Sequence, residues 1–214
     1  MKISAICLYS IFDILCNRDS RIELYSGLEC FDQEEKIEFF RGIRMTKIGL
    51  LSDTHGYLDP KIFDHFKDCD EVWHGGDIGS SQLAVALEKF KPFRAVFGNI
   101  DDSDLQAKYP EDLFFKCEEV NIWITHIGGV PPGYNPRIKR LLKQNIPDVF
   151  ICGHSHILRI KRDPNVNNML YINPGAAGNQ GFHSIKTIVR FNIHGRKIEN
   201  MEVIELGKRG AIEH

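Results

Sequence analysis

The stretch Leu50-Leu51-Ser52-Asp53-Thr54-His55-Gly56 decides how the rest of this chain is read. Ahead of it, Lys47-Ile48-Gly49-Leu50-Leu51 is a short apolar run of the kind that forms a buried strand. Behind it, Gly56, Asp59 and Pro60 break the chain before an amphipathic segment begins. A carboxylate and an imidazole two residues apart, just past a strand end, can point into one cleft. Open α/β sheets hold their ligands at such places. Alone, Asp-x-His is a weak signal.

Working outward, strands and helices alternate. Asp59-Pro60 opens a helix with Ile62, Phe63 and Phe66 on one stripe, Pro60 taking the first helical position. Glu71–His74 reads as a strand into Gly75-Gly76-Asp77, and Ser80 or Ser81 caps a helix carrying Leu83, Leu87 and Phe90. Arg94–Phe97 is a third strand, running into Gly98-Asn99. This strand–loop–helix order implies a sheet with parallel neighbours and covering helices. The second half is richer in strands: a hairpin of Leu113–Val120 and Ile122–Thr125 ending at His126, then a helix from Asn135-Pro136 with Ile138, Leu141 and Leu142 inward. Val149–Cys152 leads into Gly153-His154-Ser155-His156, followed by Leu158–Lys161, Met169–Ile172 and a closing hairpin of Thr187–Ile193 and Lys197–Leu206.

Bulk properties narrow the function classes. The 214 residues are 43% hydrophobic and 26% charged, an ordinary globular composition that favours one domain with a small appendage. Residues 1–44 hold 6 Lys/Arg against 8 Asp/Glu, leaving 21 against 21 for residues 45–214. A neutral main domain lacks the footprint of a protein that binds long nucleic acid or an anionic membrane. No run of about 18 apolar residues is present, so no membrane span is expected. Residues 3–12 faintly resemble a signal peptide, but Asp13 interrupts the run and no small-x-small site follows. Cys7, Cys16, Cys30, Cys69, Cys117 and Cys152 form no C-x-x-C pair and read as reduced thiols, which fits a cytoplasmic protein. Residues 1–44 stand apart from the pattern. Asp32-Gln33-Glu34-Glu35 resembles a capping box before a short helix, and the segment is either a real extension packing on the domain or an artefact of translation that begins at Met45, the second reading being favoured.

The polar residues that follow the strand-like runs are Asp53, His55, Asp77, Asn99, His126, His154 and His156. All seven offer oxygen or nitrogen to a metal, and most have a glycine neighbour that lets backbone approach a crowded centre. Each taken singly is ordinary: an isolated Gly-Asp is usually a turn, and a lone histidine a satisfied polar side chain. Five separate elements ending this way is not ordinary.

The ordered blocks Asp-x-His, Gly-Gly-Asp, Gly-Asn, His and Gly-His-x-His resemble the calcineurin-like metallophosphoesterase superfamily. Gly98-Asn99-Ile100-Asp101 and Asn173-Pro174-Gly175 are similar to its small bacterial and archaeal phosphodiesterase branch. The resemblance runs from about Lys47 to Leu206. It implies an α/β fold, a four-layer αββα sandwich of two mixed sheets with the site on one rim. It also implies that Asp53, His55 and His156 hold one metal, that Asn99, His126 and His154 hold the other, and that Asp77 bridges them. Two divalent ions are expected, Mn²⁺ first, with Fe, Co, Zn or Ni as alternatives. The implied reaction is hydrolysis of a small phosphodiester by a metal-bound hydroxide, with Asp77 and Asn99 as catalytic residues.

The chain departs from many superfamily members at Ile100, where they carry a histidine that contacts the phosphate. Asp101, Asp102 and His183 are candidate proton donors, although each reads more readily as a loop cap or exposed side chain. Ile127-Gly128-Gly129 also differs from relatives, which usually have glycine after the ligand at 126. His74 reads as structural, Asn173-Pro174-Gly175 as shaping the rim, and Arg137, Lys161 and Arg162 as solvated surface or substrate contacts. The rival reading is a non-catalytic protein-binding scaffold, as in a eukaryotic retromer subunit of this fold that has lost much of its metal site. A complete set of seven donors favours the enzyme.

Overall fold

The structure, a computed structural model, describes residues 45–210. The capping box and helix expected within residues 32–42, and Cys7, Cys16 and Cys30, lie outside the described residues.

The chain opens on β1 (Thr46–Leu51), crosses through α1 (Lys61–Phe66) to β2 (Glu71–His74), and through α2 (Ser81–Phe90) to β3 (Phe93–Ala95). The caps are local. Ser80 Oγ accepts from Leu83 N at 3.2 Å, and Asp59 Oδ1 accepts from Lys61 N at 3.1 Å. After α3 (Ser103–Lys108) comes the hairpin of β4 (Asp112–Cys117) and β5 (Val120–Thr125), then a two-residue ladder, β6 (Gly129–Val130) with β7 (Gly133–Tyr134). Asn135 caps α4 (Pro136–Leu142), its Oδ1 accepting from Ile138 N at 2.8 Å. The chain finishes with β8 (Val149–Ile151), β9 (Arg159–Asp163), β10 (Met169–Asn173) and the long hairpin of β11 (Ile185–His194) and β12 (Lys197–Lys208).

Two mixed five-stranded sheets result, ordered β12-β11-β1-β2-β3 and β4-β5-β8-β10-β9. Within them β1, β2 and β3 are mutually parallel, as are β5, β8 and β10. Strand alternation explains the layers. Ile48 and Leu50 of β1, Ile122 and Ile124 of β5, Val149 and Ile151 of β8, and Leu170 and Ile172 of β10 meet in one buried cluster between the sheets. Their neighbours face outward. Leu51 and Val72 pack under Ile62, Phe66, Leu83 and Leu87 of α1 and α2. Trp123, Phe150 and Tyr171 pack under Ile138 and Leu142 of α4. Sheets apolar on both faces must be covered on both, which gives the αββα sandwich. Gly49 sits where a side chain would collide with the Phe66 ring at 2.6 Å, so α1 lies close on its sheet.

Cys69, Cys117 and Cys152 are buried free thiols, and burial pushes Cys69 up to about 11 and Cys117 and Cys152 up to about 12. They are packing residues at neutral pH. Among the described residues, no helix is long and apolar enough to cross a membrane.

Candidate metal centre

Because β1, β2, β3, β5 and β8 all end on the same rim, the seven donors singled out in the sequence fall in the loops that follow them. Backbone hydrogen bonds lace these loops together. Asp53 N donates to Gly76 O and His55 N to Asp77 O, both at 3.0 Å, joining the loops after β1 and β2. Gly153 N donates to His126 O at 3.0 Å, joining those after β5 and β8, and His154 N donates to both carboxylate oxygens of Asp53 at 3.1 and 3.2 Å, joining the two sheets. Asp53, His55, Asp77, His154 and His156 adopt positive φ values of 54°, 49°, 56°, 66° and 58°. Non-glycine residues visit this region rarely, and strain of this kind gathers at functional sites because the surroundings over-determine it.

The donors form two groups that meet at Asp77. On one side, ligand atoms of Asp53, His55, Asp77 and His156 all lie within 4.8 Å of one another. His55 Nε2 and His156 Nε2 are 3.2 Å apart, and His156 Nε2 is 3.2 Å from Asp53 Oδ1. On the other side, Asn99 Oδ1 is 3.1 Å from His126 Nε2 and 2.8 Å from His154 Nδ1. Asp77 presents Oδ2 to His55 Nε2 at 3.7 Å and Oδ1 to His126 Nε2 at 3.2 Å. The donor set fits cations. His126 Nδ1 donates to Gly75 O at 2.9 Å, which fixes the tautomer and leaves the Nε2 lone pair aimed at the cluster. Facing imidazole nitrogens beside two carboxylates are satisfied together by a positive ion.

Electrostatics agree. Burial pushes the Asp77 carboxyl up, but the hydrogen bond and charge of His126, the Ile100 N–H and His55 outweigh it and hold the group below the usual range. Burial works against a charged His126, yet Asp77 and Asp53 hold it above its ordinary value. The Asp53 hydrogen bond raises His156 in the same way, while burial pulls His55 down despite both aspartates.

A shell around the donors was only partly legible in the sequence. His74 is fully buried: its Nδ1 accepts from Gly76 N at 3.1 Å, its Nε2 lies 2.9 Å from Thr54 Oγ1, and Thr54 donates on to Ile78 O at 3.0 Å. Burial drives this imidazole down to about 3, so it is a neutral strut between the loops carrying Asp53 and Asp77. Asn173 shapes the rim as expected, its Nδ2 donating to Gly153 O at 2.8 Å and to Ser155 Oγ at 3.1 Å. A methyl group on Gly98 would overlap Asp77 Oδ1, and one on Gly181 would overlap His156 Nδ1. Gly181 belongs to no motif and had no local signal.

The candidate proton donors resolve differently. Asp101 accepts from Gly79 N at 2.7 Å and from Gly98 N at 2.8 Å, and Asp102 caps α3 through Leu105 N at 3.0 Å; both are loop caps. His183 meets His156 edge to face with centroids 5.4 Å apart and has Nε2 3.0 Å from Gly178 O. Burial lowers its pKa, so it is neutral near pH 7, with its proton committed to that carbonyl. Arg137 is no free surface charge: it pairs with Asp112 and reaches Thr125 Oγ1 at 2.9 Å. Lys161 and Arg162 lie on the edge strand β9 and are exposed.

Comparison with known proteins gives the family and the fold. The sequence model of the Calcineurin-like phosphoesterase superfamily domain matches residues 46–196. A probable metallophosphoesterase from Methanothermobacter thermautotrophicus is 29% identical over 134 residues, covering 60% of this chain and 76% of that one. Among solved structures, an archaeal phosphodiesterase superposes with a TM-score of 0.59 at 23% identity, covering 74% of this chain and 100% of that one. Vps29 of Entamoeba histolytica, solved with zinc, gives 0.59 at 17% identity, covering 76% and 99%. At those identities the two structures speak to the fold alone.

Proposed function

The chain belongs to the calcineurin-like phosphoesterase superfamily, and from that premise we propose that it is a dinuclear metal-dependent phosphodiesterase acting on a small phosphodiester. The observation that carries the reading is the placement of Asp77, one carboxylate whose two oxygens face separate donor groups. Asp53, His55 and His156 would hold one cation, Asn99, His126 and His154 the second, and Asp77 would bridge. When bound, such a pair of cations supplies Lewis acidity at the phosphoryl oxygens and a nucleophile at neutral pH. Oxygen and nitrogen donors without thiolate suit Mn²⁺, Fe, Co²⁺, Ni²⁺ or Zn²⁺, and manganese is the first choice.

This chain's own residues do the rest by position. Asp77, kept ionised by His126, the Ile100 N–H and His55, offsets the repulsion between two positive centres. His126 keeps its Nδ1 proton on Gly75 O, so on giving up the Nε2 proton that Asp77 favours it would face a cation as a neutral ligand. The half-exposed Ile100 side chain cannot protonate a leaving group, Asp101 and Asp102 are engaged as loop caps, and His183 keeps its Nε2 proton on Gly178 O while its buried Nδ1 has no partner. An alkoxide of low basicity, or one protonated from solvent, therefore suits this site best. The test is Asp77→Ala: metal content falls and phosphodiester turnover is lost, because both halves share the residue. A variant that stays fully metallated and active would sink the assignment, while wild-type protein that binds metal and turns over no ester would favour the scaffold.

A further inference from the structure

Beside the donor cluster lies a cavity of ≈320 Å³ lined in part by Asn99 and His126. Those two side chains also belong to one half of the centre, so the cavity and the cluster are continuous. Phe97 and Ile127 also line the cavity, together with Glu111, Asn135 and Arg137. Ile127 is 39% exposed, an apolar side chain left open beside a polar centre.

The polar groups of this cavity are engaged with each other. The Arg137 guanidinium is held by Asp112, by Thr125 Oγ1 at 2.9 Å and by Glu111 at 3.4 Å. Asn135 donates from Nδ2 to Ile127 O at 2.5 Å and accepts at Oδ1 from Ile138 N at 2.8 Å. One guanidinium set against the Glu111 and Asp112 carboxylates leaves no net positive charge to receive an anion. What the wall offers is apolar contact and shape. Its volume falls at the small end of ligand pockets, enough for one ring system.

We propose that this cavity is the subsite for the uncharged organic arm of the substrate. A phosphoryl group held at the cluster would direct an aromatic or similarly flat ester group into contact with Phe97 and Ile127. The carboxylate of Glu111 in its lining would disfavour a second phosphate there, so the site selects simple diesters over polyphosphates. This proposal rests on the phosphodiesterase reading and goes further by naming which wall sets specificity.

Phenylphosphonate and methylphosphonate test it, because their P–C bonds resist hydrolysis and they differ only in the arm. Their affinities for the Mn²⁺-loaded protein are measured by titration calorimetry, with metal content determined on each sample. Burial of the larger arm makes the wild type prefer phenylphosphonate by about tenfold or more. Ile127→Trp fills the cavity and brings that ratio close to one; Ile127→Phe, a smaller intrusion, gives an intermediate ratio should the tryptophan variant lose metal. A wild-type ratio near one, or a ratio unmoved by both substitutions, overturns the subsite while leaving the phosphodiesterase reading standing. Failure of the loaded wild type to bind either phosphonate overturns both.

Discussion

At the residue scale, the seven residues that gather on the rim could be picked out of the sequence because each is a metal-competent type at the end of an apolar run. Their conformations could not. Five of them are left-handed, a fact set by hydrogen bonds between loops far apart in sequence. The same holds for Gly98 and Gly181, which are glycines because a side chain would displace Asp77 or His156. Gly98 sits in a recognisable Gly-Asn block, whereas Gly181 becomes meaningful only once β10 returns the chain to the rim. Gly98→Ala should move the shared carboxylate. A misplacement of about 1 Å at a catalytic centre can cost about 10²-fold. We expect phosphodiester turnover to fall on that scale, with both metals weakened and the circular dichroism spectrum retained. Gly181→Ala, strained at φ 112°, should instead lower occupancy on the Asp53–His55–His156 side. Metal analysis beside kinetics separates the two, and full occupancy in both variants would contradict the roles given to these glycines.

At the scale of elements, the long strands and capped helices followed from periodicity and caps, but two features did not. Helix α3 buries only Leu105, so it has no apolar stripe to see. The β6–β7 ladder has two residues per strand around Pro131-Pro132, too short for alternation. Strand β3 also stops at Ala95, before the expected Phe97, whose N–H donates to Pro110 O at 3.1 Å and leaves the sheet. Nor could sequence pair Lys186 on β11 with Asp59 ahead of α1, a buried ion pair at 2.7 Å. Burial opposes both charges, yet each partner outweighs it, so Asp59 is held low and Lys186 high. The depressed carboxylate contributes stability above its unfolded value of about 3.9, lost as pH falls through its folded value. The raised ammonium contributes below its unfolded value of about 10.4, lost as pH rises through its folded value. The pair therefore stabilises across the neutral range. Lys186→Met strands Asp59 in the interior, and breaking such a pair costs about 3–5 kcal/mol. Urea unfolding should show that loss at pH 7 and a smaller one near pH 4, where the stranded carboxyl takes up a proton. Equal losses at both values would contradict it.

At the scale of the whole molecule, the centre is drawn from both sheets: Asp53, His55, Asp77 and Asn99 follow strands of one, and His126, His154 and His156 follow strands of the other. Bound cations would tie the two halves of the sandwich together. At a hundredfold excess over Kd, one bound ligand adds about 2.7 kcal/mol. For a domain this size each kcal/mol is worth about 2–4 °C. Loading with Mn²⁺ should therefore raise Tm by about 5–10 °C, and a chelator should reverse it; an unchanged Tm at full occupancy would contradict a centre that spans the sheets. The most direct test is turnover itself. Metal-stripped protein is titrated with Mn²⁺ while hydrolysis of bis(p-nitrophenyl) phosphate and p-nitrophenyl phosphate is followed. Activity that appears on filling two sites per chain and favours the diester is the expected result. Filled sites with no turnover of either ester, or activity that does not depend on metal, would contradict a dinuclear phosphodiesterase.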